Sequence, residues 1–194
     1  MKSKGWEKKD HTGKWLKINL RRKYLPKKAR VLDLFCGNGG IYKEVYKGKV
    51  EKYIGIDKEK VHSTKLCVKT NNLFFVSKNN IDDFNVFDLD DWGSPWKLFY
   101  LILKKWQGRE AVFFITDGLK LHQSLDGNVT KWVSATEQIP CKFNIPGLNR
   151  WYKDIFATML LDVQKRFLCK IENPIYLAND RKSVYYWAFK TIKV

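Results

Sequence analysis

The chain has 194 residues with 44% hydrophobic and 15% aromatic content, enough for one domain with its own core and too apolar for a disordered chain. No apolar run reaches the length of a membrane span, and the first residues lack the apolar centre of a signal peptide, so the expectation is a cytosolic (cytoplasmic) protein. The formal charge of +17 is uneven: residues 1–30 hold 12 Lys or Arg against only Glu7 and Asp10, with Trp6, Trp15 and Tyr24 interleaved. A localised basic segment carrying aromatics is what contact with a phosphate backbone needs, so nucleic acid is the expected partner. A solvated lysine-rich face is the plainer reading. Cys36, Cys67, Cys141 and Cys169 form no C-x-x-C pair, which argues against a zinc knuckle or a disulfide framework.

In chain order, residues 1–29 read as a basic arm and helix, with the amphipathic part from Lys14 to Tyr24 ended by Pro26. A first strand is predicted over 30–35 and a helix from Gly39 to Tyr46, stopped by Gly48. A second strand follows over 52–57, then a helix from Lys58 to about Lys69 closed by Asn71 and Asn72. Leu73 to Ser77 reads as the third strand and Asn85 to Asp90 as the fourth, with Pro95 opening a helix to about Trp106. The apolar run Ala111 to Thr116 is the fifth strand. Residues 118–148 are irregular in pattern, and Arg150 to Leu168 repeats apolar residues at helical spacing. The tail reads as two strands, about 170–177 and 183–193, around Asn179-Asp180-Arg181. Alternating strands and helices imply a mostly parallel sheet covered on both faces, and the short final turn forces an antiparallel hairpin. Residues 30–194 are thus expected to form one α/β domain whose ligand sits at the carboxyl ends of the strands.

Those ends carry the chemistry. Val31-Leu32-Asp33-Leu34-Phe35-Cys36-Gly37-Asn38-Gly39-Gly40 is an apolar run entering a glycine-rich turn, and Tyr53-Ile54-Gly55-Ile56-Asp57 is the next run, ending in an acid. Gly37 and Gly39 let the backbone approach a flat ligand, and the Asp57 carboxylate can accept from both ribose hydroxyls. A carboxylate at Asp33 would repel a pyrophosphate but suits a ligand bearing an amino group. This stretch resembles motif I of the class I S-adenosylmethionine (SAM) methyltransferases. The resemblance implies a Rossmann-like, seven-stranded sheet and SAM as cofactor, held by Asp33, Phe35, Gly37, Gly39 and Asp57. Asn80 and Ile81 are weaker candidates for the adenine ring, Asn80 being equally readable as a turn residue.

The fourth strand runs into Phe87-Asp88-Leu89-Asp90-Asp91-Trp92-Gly93-Ser94-Pro95-Trp96. An exocyclic amine is a poor nucleophile, because its lone pair is delocalised into the ring. An oxygen that accepts its N–H bonds directs that lone pair to the methyl group, and an aromatic ring can stack on an extruded base. Asp90 suits the first role and Trp92 the second. The stretch resembles the D-P-[FY]-G-[ST]-P signature of the tRNA guanine-N2 dimethyltransferases, which also carry an acid two positions earlier, here Asp88. Asp91 stands where proline is usual, and the long C-terminal RNA-binding half of that family is lacking. The resemblance implies substrate contact at Ser94 and Pro95, and the basic segment, with Arg21, Arg22 and Lys23, is expected to meet the nucleic acid in place of that half. A solvated turn, or a magnesium site made by Asp88, Asp90 and Asp91, is the alternative. Cytosine C5 chemistry needs a cysteine nucleophile, and the loops after the fourth and fifth strands hold none.

The reading is therefore an N-methyltransferase of a nucleic-acid base, RNA before DNA and tRNA guanine N2 first. A DNA amino-methyltransferase and a non-catalytic binding module of the same fold are the rivals.

Overall fold

A computed structural model describes residues 11–59, 66–91, 95–118, 156–157, 159–179 and 184–194. Helix α1 (His11–Tyr24) leads into strand β1 (Arg30–Asp33), a helical turn and strand β2 (Lys52–Asp57). Then come β3 (Cys67–Lys69), α2 (Asn72–Lys78), β4 (Val86–Asp90), α3 (Trp96–Lys105) and β5 (Glu110–Asp117). Helix α4, described at 156–157 and 159–167, precedes the hairpin of β6 (Cys169–Ala178) and β7 (Tyr185–Lys193).

The strands form one seven-stranded sheet in the order β3-β2-β1-β4-β5-β7-β6. The first five are parallel, and β7 and β6 run antiparallel to their neighbours, as the short final turn requires. Side-chain alternation along each strand divides the core into two layers. Val31, Val86, Phe114, Tyr186 and Ala188 pack with Ile18 and Leu20 of α1. Leu32, Phe87, Leu89, Phe113, Ile115 and Phe189 pack on the other face against α3 and Met159 and Val163 of α4. Helix α1, which contains the amphipathic helix expected from Lys14 to Tyr24, is thus anchored on the sheet by its apolar stripe, while residues 1–10 of the expected arm lie outside the described residues. No described helix is long and apolar enough to cross a membrane.

Two expectations are corrected. The segment 66–78 has its elements exchanged: Cys67–Lys69 is a short edge strand rather than the end of a helix, and Leu73 to Ser77 is helical rather than the third strand. The reason lies at Asn71. Its side chain accepts from the backbone N–H of Phe74 at 3.0 Å, so it opens a helix instead of closing one. Residues 60–65, the bulk of the expected helix, lie outside the described residues. The helix expected over 39–46 is present but wound as a π-helix at Tyr42–Tyr46, where Lys47 N–H bonds the Tyr42 carbonyl at 2.8 Å. The wider turn brings Tyr46 under the sheet.

Candidate functional site

The turn after β1 is shaped by its glycines and pinned from three sides. Gly37 and Gly39 sit at φ +48° and +75°, a region that side-chain-bearing residues avoid. The Cys36 N–H bonds the Ile56 carbonyl at 3.1 Å. The Gly37 N–H bonds the Asp57 carboxylate at 2.9 Å, whose other oxygen accepts from Glu59 N–H at 2.9 Å. Gly55 has a role that the sequence pattern did not reveal: a Cβ there would lie 2.8 Å from both Cys36 Cβ and Cys67 Sγ. Only glycine lets the turn rest on β2.

Above these strand ends opens a cleft of about 790 Å³, within the range typical of small-molecule sites. Phe35, Gly37 and Asp57 form one side, Asn72 and Leu73 another, and Asp90, Pro95 and Leu98 a third. Of the expected cofactor residues, Phe35, Gly37 and Asp57 are therefore brought together. Gly39 is buried behind the turn, and Asp33 lies beneath it rather than on the cleft wall. Asp33 accepts from Tyr53 OH at 2.8 Å and from Phe35 N–H at 3.2 Å, bracing the turn from below. Burial, and then the neighbouring Asp88, push its carboxyl well above the usual range.

Asn80 and Ile81 are not on the cleft wall. Asn80 is exposed and accepts from Asp82 N–H at 2.7 Å, and Ile81 is a core residue. Because the third strand ends at Lys69, the residues that follow it are Asn71, Asn72 and Leu73, and these line the cleft instead. The Asn71 cap was the sequence signal that could have found them. Asn72 Oδ1 is buried and has no hydrogen-bond partner among the described residues.

The acids of β4 separate in function. Asp88 is fully buried and takes bidentate bonds from Arg21, at 2.6 Å from Nε and 2.5 Å from the second nitrogen, with Tyr46 OH a third donor at 2.6 Å. Asp88 therefore faces away from any substrate, and its expected part in the chemistry is corrected to an anchoring one. Arg21 is likewise 1% exposed and unable to meet a phosphate. Two residues on, Asp90 stands at the cleft. Its Oδ1 is buried 2.6 Å from Lys17 Nζ, in an ion pair off hydrogen-bonding geometry, while the side chain as a whole keeps 14% exposure. Burial pushes the Asp90 carboxyl up, but Lys17 and Arg21 outweigh it and hold it below the usual carboxylate range. Asp88, tied to Arg21 and Tyr46, is closed to the magnesium site considered above.

Arg22 is exposed and tied to Glu44, donating to its carbonyl at 3.0 Å, and Lys23 Nζ lies 5.5 Å over the Tyr24 ring. Trp92 and Ser94 lie outside the described residues, while Pro95 is buried at the start of α3. Cys36 offers no nucleophile: burial, followed by Asp33, pushes its thiol up.

The residues present fit SAM. Asp57 retains two acceptor sites for a vicinal diol, Asn72 adds a polar side chain to the cleft wall, and Leu73 and Leu98 supply apolar surface for a flat ring.

No family model matches the sequence, and no curated protein matches it. Solved structures do. M. jannaschii TYW2, in complex with AdoMet, superposes with a TM-score of 0.57 at 8% identity over 97% of this chain and 80% of that one. The Burkholderia thailandensis 1,6-didemethyltoxoflavin-N1-methyltransferase, with its substrate and S-adenosylhomocysteine bound, gives 0.56 at 10% identity over 95% and 80%. The E. cuniculi Mtq2–Trm112 complex, responsible for methylation of the termination factor eRF1, gives 0.53 at 9% identity over 96% and 98%. The chain thus has the Rossmann-like fold of the class I SAM-dependent methyltransferases. At such identities the likeness is one of fold, and one fold hosts many substrates.

Proposed function

We propose that the protein is a SAM-dependent N-methyltransferase acting on a nucleic-acid base, RNA in preference to DNA, with guanine N2 of tRNA the first substrate to test. The carrying observation is Asp90: an ionised carboxylate at the carboxyl end of β4, open to the same cleft as Gly37 and Asp57. The charge of +17 supports a polyanionic substrate.

SAM, when bound, supplies an electrophilic methyl group. Asp57 would hold its ribose, Asn72 its adenine amino group and the Gly37 turn its amino-acid end. Asp90 accepts the N–H bonds of the incoming amine and directs the nitrogen lone pair along the line of attack. Lys17 fixes one of its oxygens and keeps it charged. A carboxylate held below its usual range is a weak base, so its chief work is orientation. The proton leaves after the nitrogen has become cationic, to Asp90 or to water. Trp92 is assigned to stacking on the base, with Ser94 and Pro95 shaping the substrate side, on the strength of the sequence pattern.

The test is transfer of labelled methyl from SAM to tRNA, rRNA and duplex DNA, with digestion to nucleosides. Label in N2-methylguanine of tRNA is expected, and Asp90→Ala should lower the rate by about 10²-fold or more, the scale of general acid–base and orienting contributions. Label in DNA bases would overturn the RNA assignment. An Asp90→Ala variant with full turnover would overturn the mechanism.

A further inference from the structure

Helix α1 carries a surface that the chemistry does not use. Its inner stripe is committed: Ile18 and Leu20 are buried in the core, Lys17 holds Asp90 and Arg21 holds Asp88. The opposite face is exposed at Trp15, Asn19, Arg22 and Lys23, at the i, i+4, i+7 and i+8 spacing of one helical side. Trp15 is 56% exposed, a large aromatic surface left in water. The helix and the turn after it carry a strong positive charge: residues 11–30 contain eight Lys or Arg and no Asp or Glu. Among the described residues, Glu44 is the carboxylate against this face, 3.5 Å from Arg22.

We infer that the outer face of α1 is a second nucleic-acid contact, on which Trp15 stacks against an unpaired base while Lys14, Lys23, Lys27 and Lys28 meet the flanking phosphates. This rests on the nucleic-acid reading above and adds to it a site outside the cleft. An aromatic flanked by cations suits single strands, because every base presents a π-face and the backbone supplies the charge. An anionic membrane would also attract the cations. It is disfavoured because the apolar stripe of α1 is already spent on the sheet, leaving a single aromatic rather than an apolar face to insert. Position favours the strand. Lys17 ties the N-terminal half of α1 to the end of β4, so the helix that carries Trp15 is held next to the cleft.

The experiment is binding of a fluorescently labelled single-stranded RNA, and of the matching duplex, to the full chain by anisotropy across a salt series. Trp15→Ala is expected to weaken single-strand binding about tenfold, the effect of losing one stacked base, and to change duplex binding little. Trp15→Phe should retain most of the affinity. Lys23→Gln should lower the slope of log affinity against log salt by about 0.7, the single-strand value for one phosphate. Coincident thermal unfolding of the variants and the parent would show that the fold is intact. Equal single-strand affinity for Trp15→Ala overturns the inference, as does RNA binding that is unchanged while binding to phosphatidylserine vesicles is lost. Methyl transfer measured on the same preparations separates the two proposals: transfer by the parent with no effect of Trp15→Ala on binding rejects the stacking site alone. No RNA binding by the parent rejects both.

Discussion

Single residues carry the electrostatics of this site, and Asp33 is the most consequential. It sits paired in register with Asp88 on the α1 side of the sheet, where one guanidinium serves two carboxyls. Arg21 is hydrogen-bonded to Asp88, so Asp33 is the one whose carboxyl burial pushes up. Its folded-state pKa lies above the unfolded value of about 3.9, so the folded chain keeps a proton that the unfolded chain releases. The resulting stability is fully present below about pH 4 and is lost as pH rises toward the folded value, by up to about 1.4 kcal/mol per pH unit from this group. Asp90 has the opposite sign: its contribution is present above about pH 4 and lost on acidification. Urea unfolding of Asp33→Asn between pH 4.5 and 7.5 should therefore show stability gained over the parent, with a gap widening as pH rises. A gap independent of pH would contradict the upward shift of Asp33. The acid at position 33 was legible in the sequence as the mark of a cofactor turn. Its burial was not, because burial is decided by Tyr53, Tyr46 and Arg21, which arrive from three other elements.

At the scale of elements, α1 and β4 are matched by their repeats. Lys17 and Arg21 are one helical step of four residues apart, a rise of about 6 Å, and Asp88 and Asp90 are two strand residues apart, about 7 Å. With the two elements running in opposite directions, Lys17 meets Asp90 and Arg21 meets Asp88. The sequence placed both acids on one strand face but gave Arg21 to the substrate, since a basic segment reads as solvated until its partner strand is known. Arg21→Ala would leave Asp88 buried without its cation, and a loss of about 3–5 kcal/mol in unfolding free energy is expected from denaturant titration. A loss below about 1 kcal/mol would show that α1 is not held this way.

The exchanged elements at 66–78 teach the same lesson. The run Leu73-Phe74-Phe75-Val76 is short and apolar, and periodicity cannot tell a strand from a helix at that length. Asn71 decided it. The expected adenine contact was therefore placed at Asn80 and Ile81, off the cleft wall, while β1, β2, β4, β5 and the final hairpin fell where alternation and turn residues put them.

Across the whole molecule, the sheet order places the ends of β1, β2, β3 and β4 around one cleft, so residues far apart in the chain line the same pocket. That convergence was legible because each parallel strand announces its end with a turn or an acid. The substrate was not legible in the same way, since Trp92 and the segment 119–155 lie outside the described residues and the fold serves many acceptors. The central claim is that this cleft is a SAM site, and it is tested most directly by calorimetric titration of SAM into the parent and into Asp57→Ala. One molecule bound per chain is expected, with affinity reduced about tenfold to a few hundredfold in the variant, the loss of hydrogen bonds to a charged acceptor. No binding to the parent, or equal binding to both, would contradict the account.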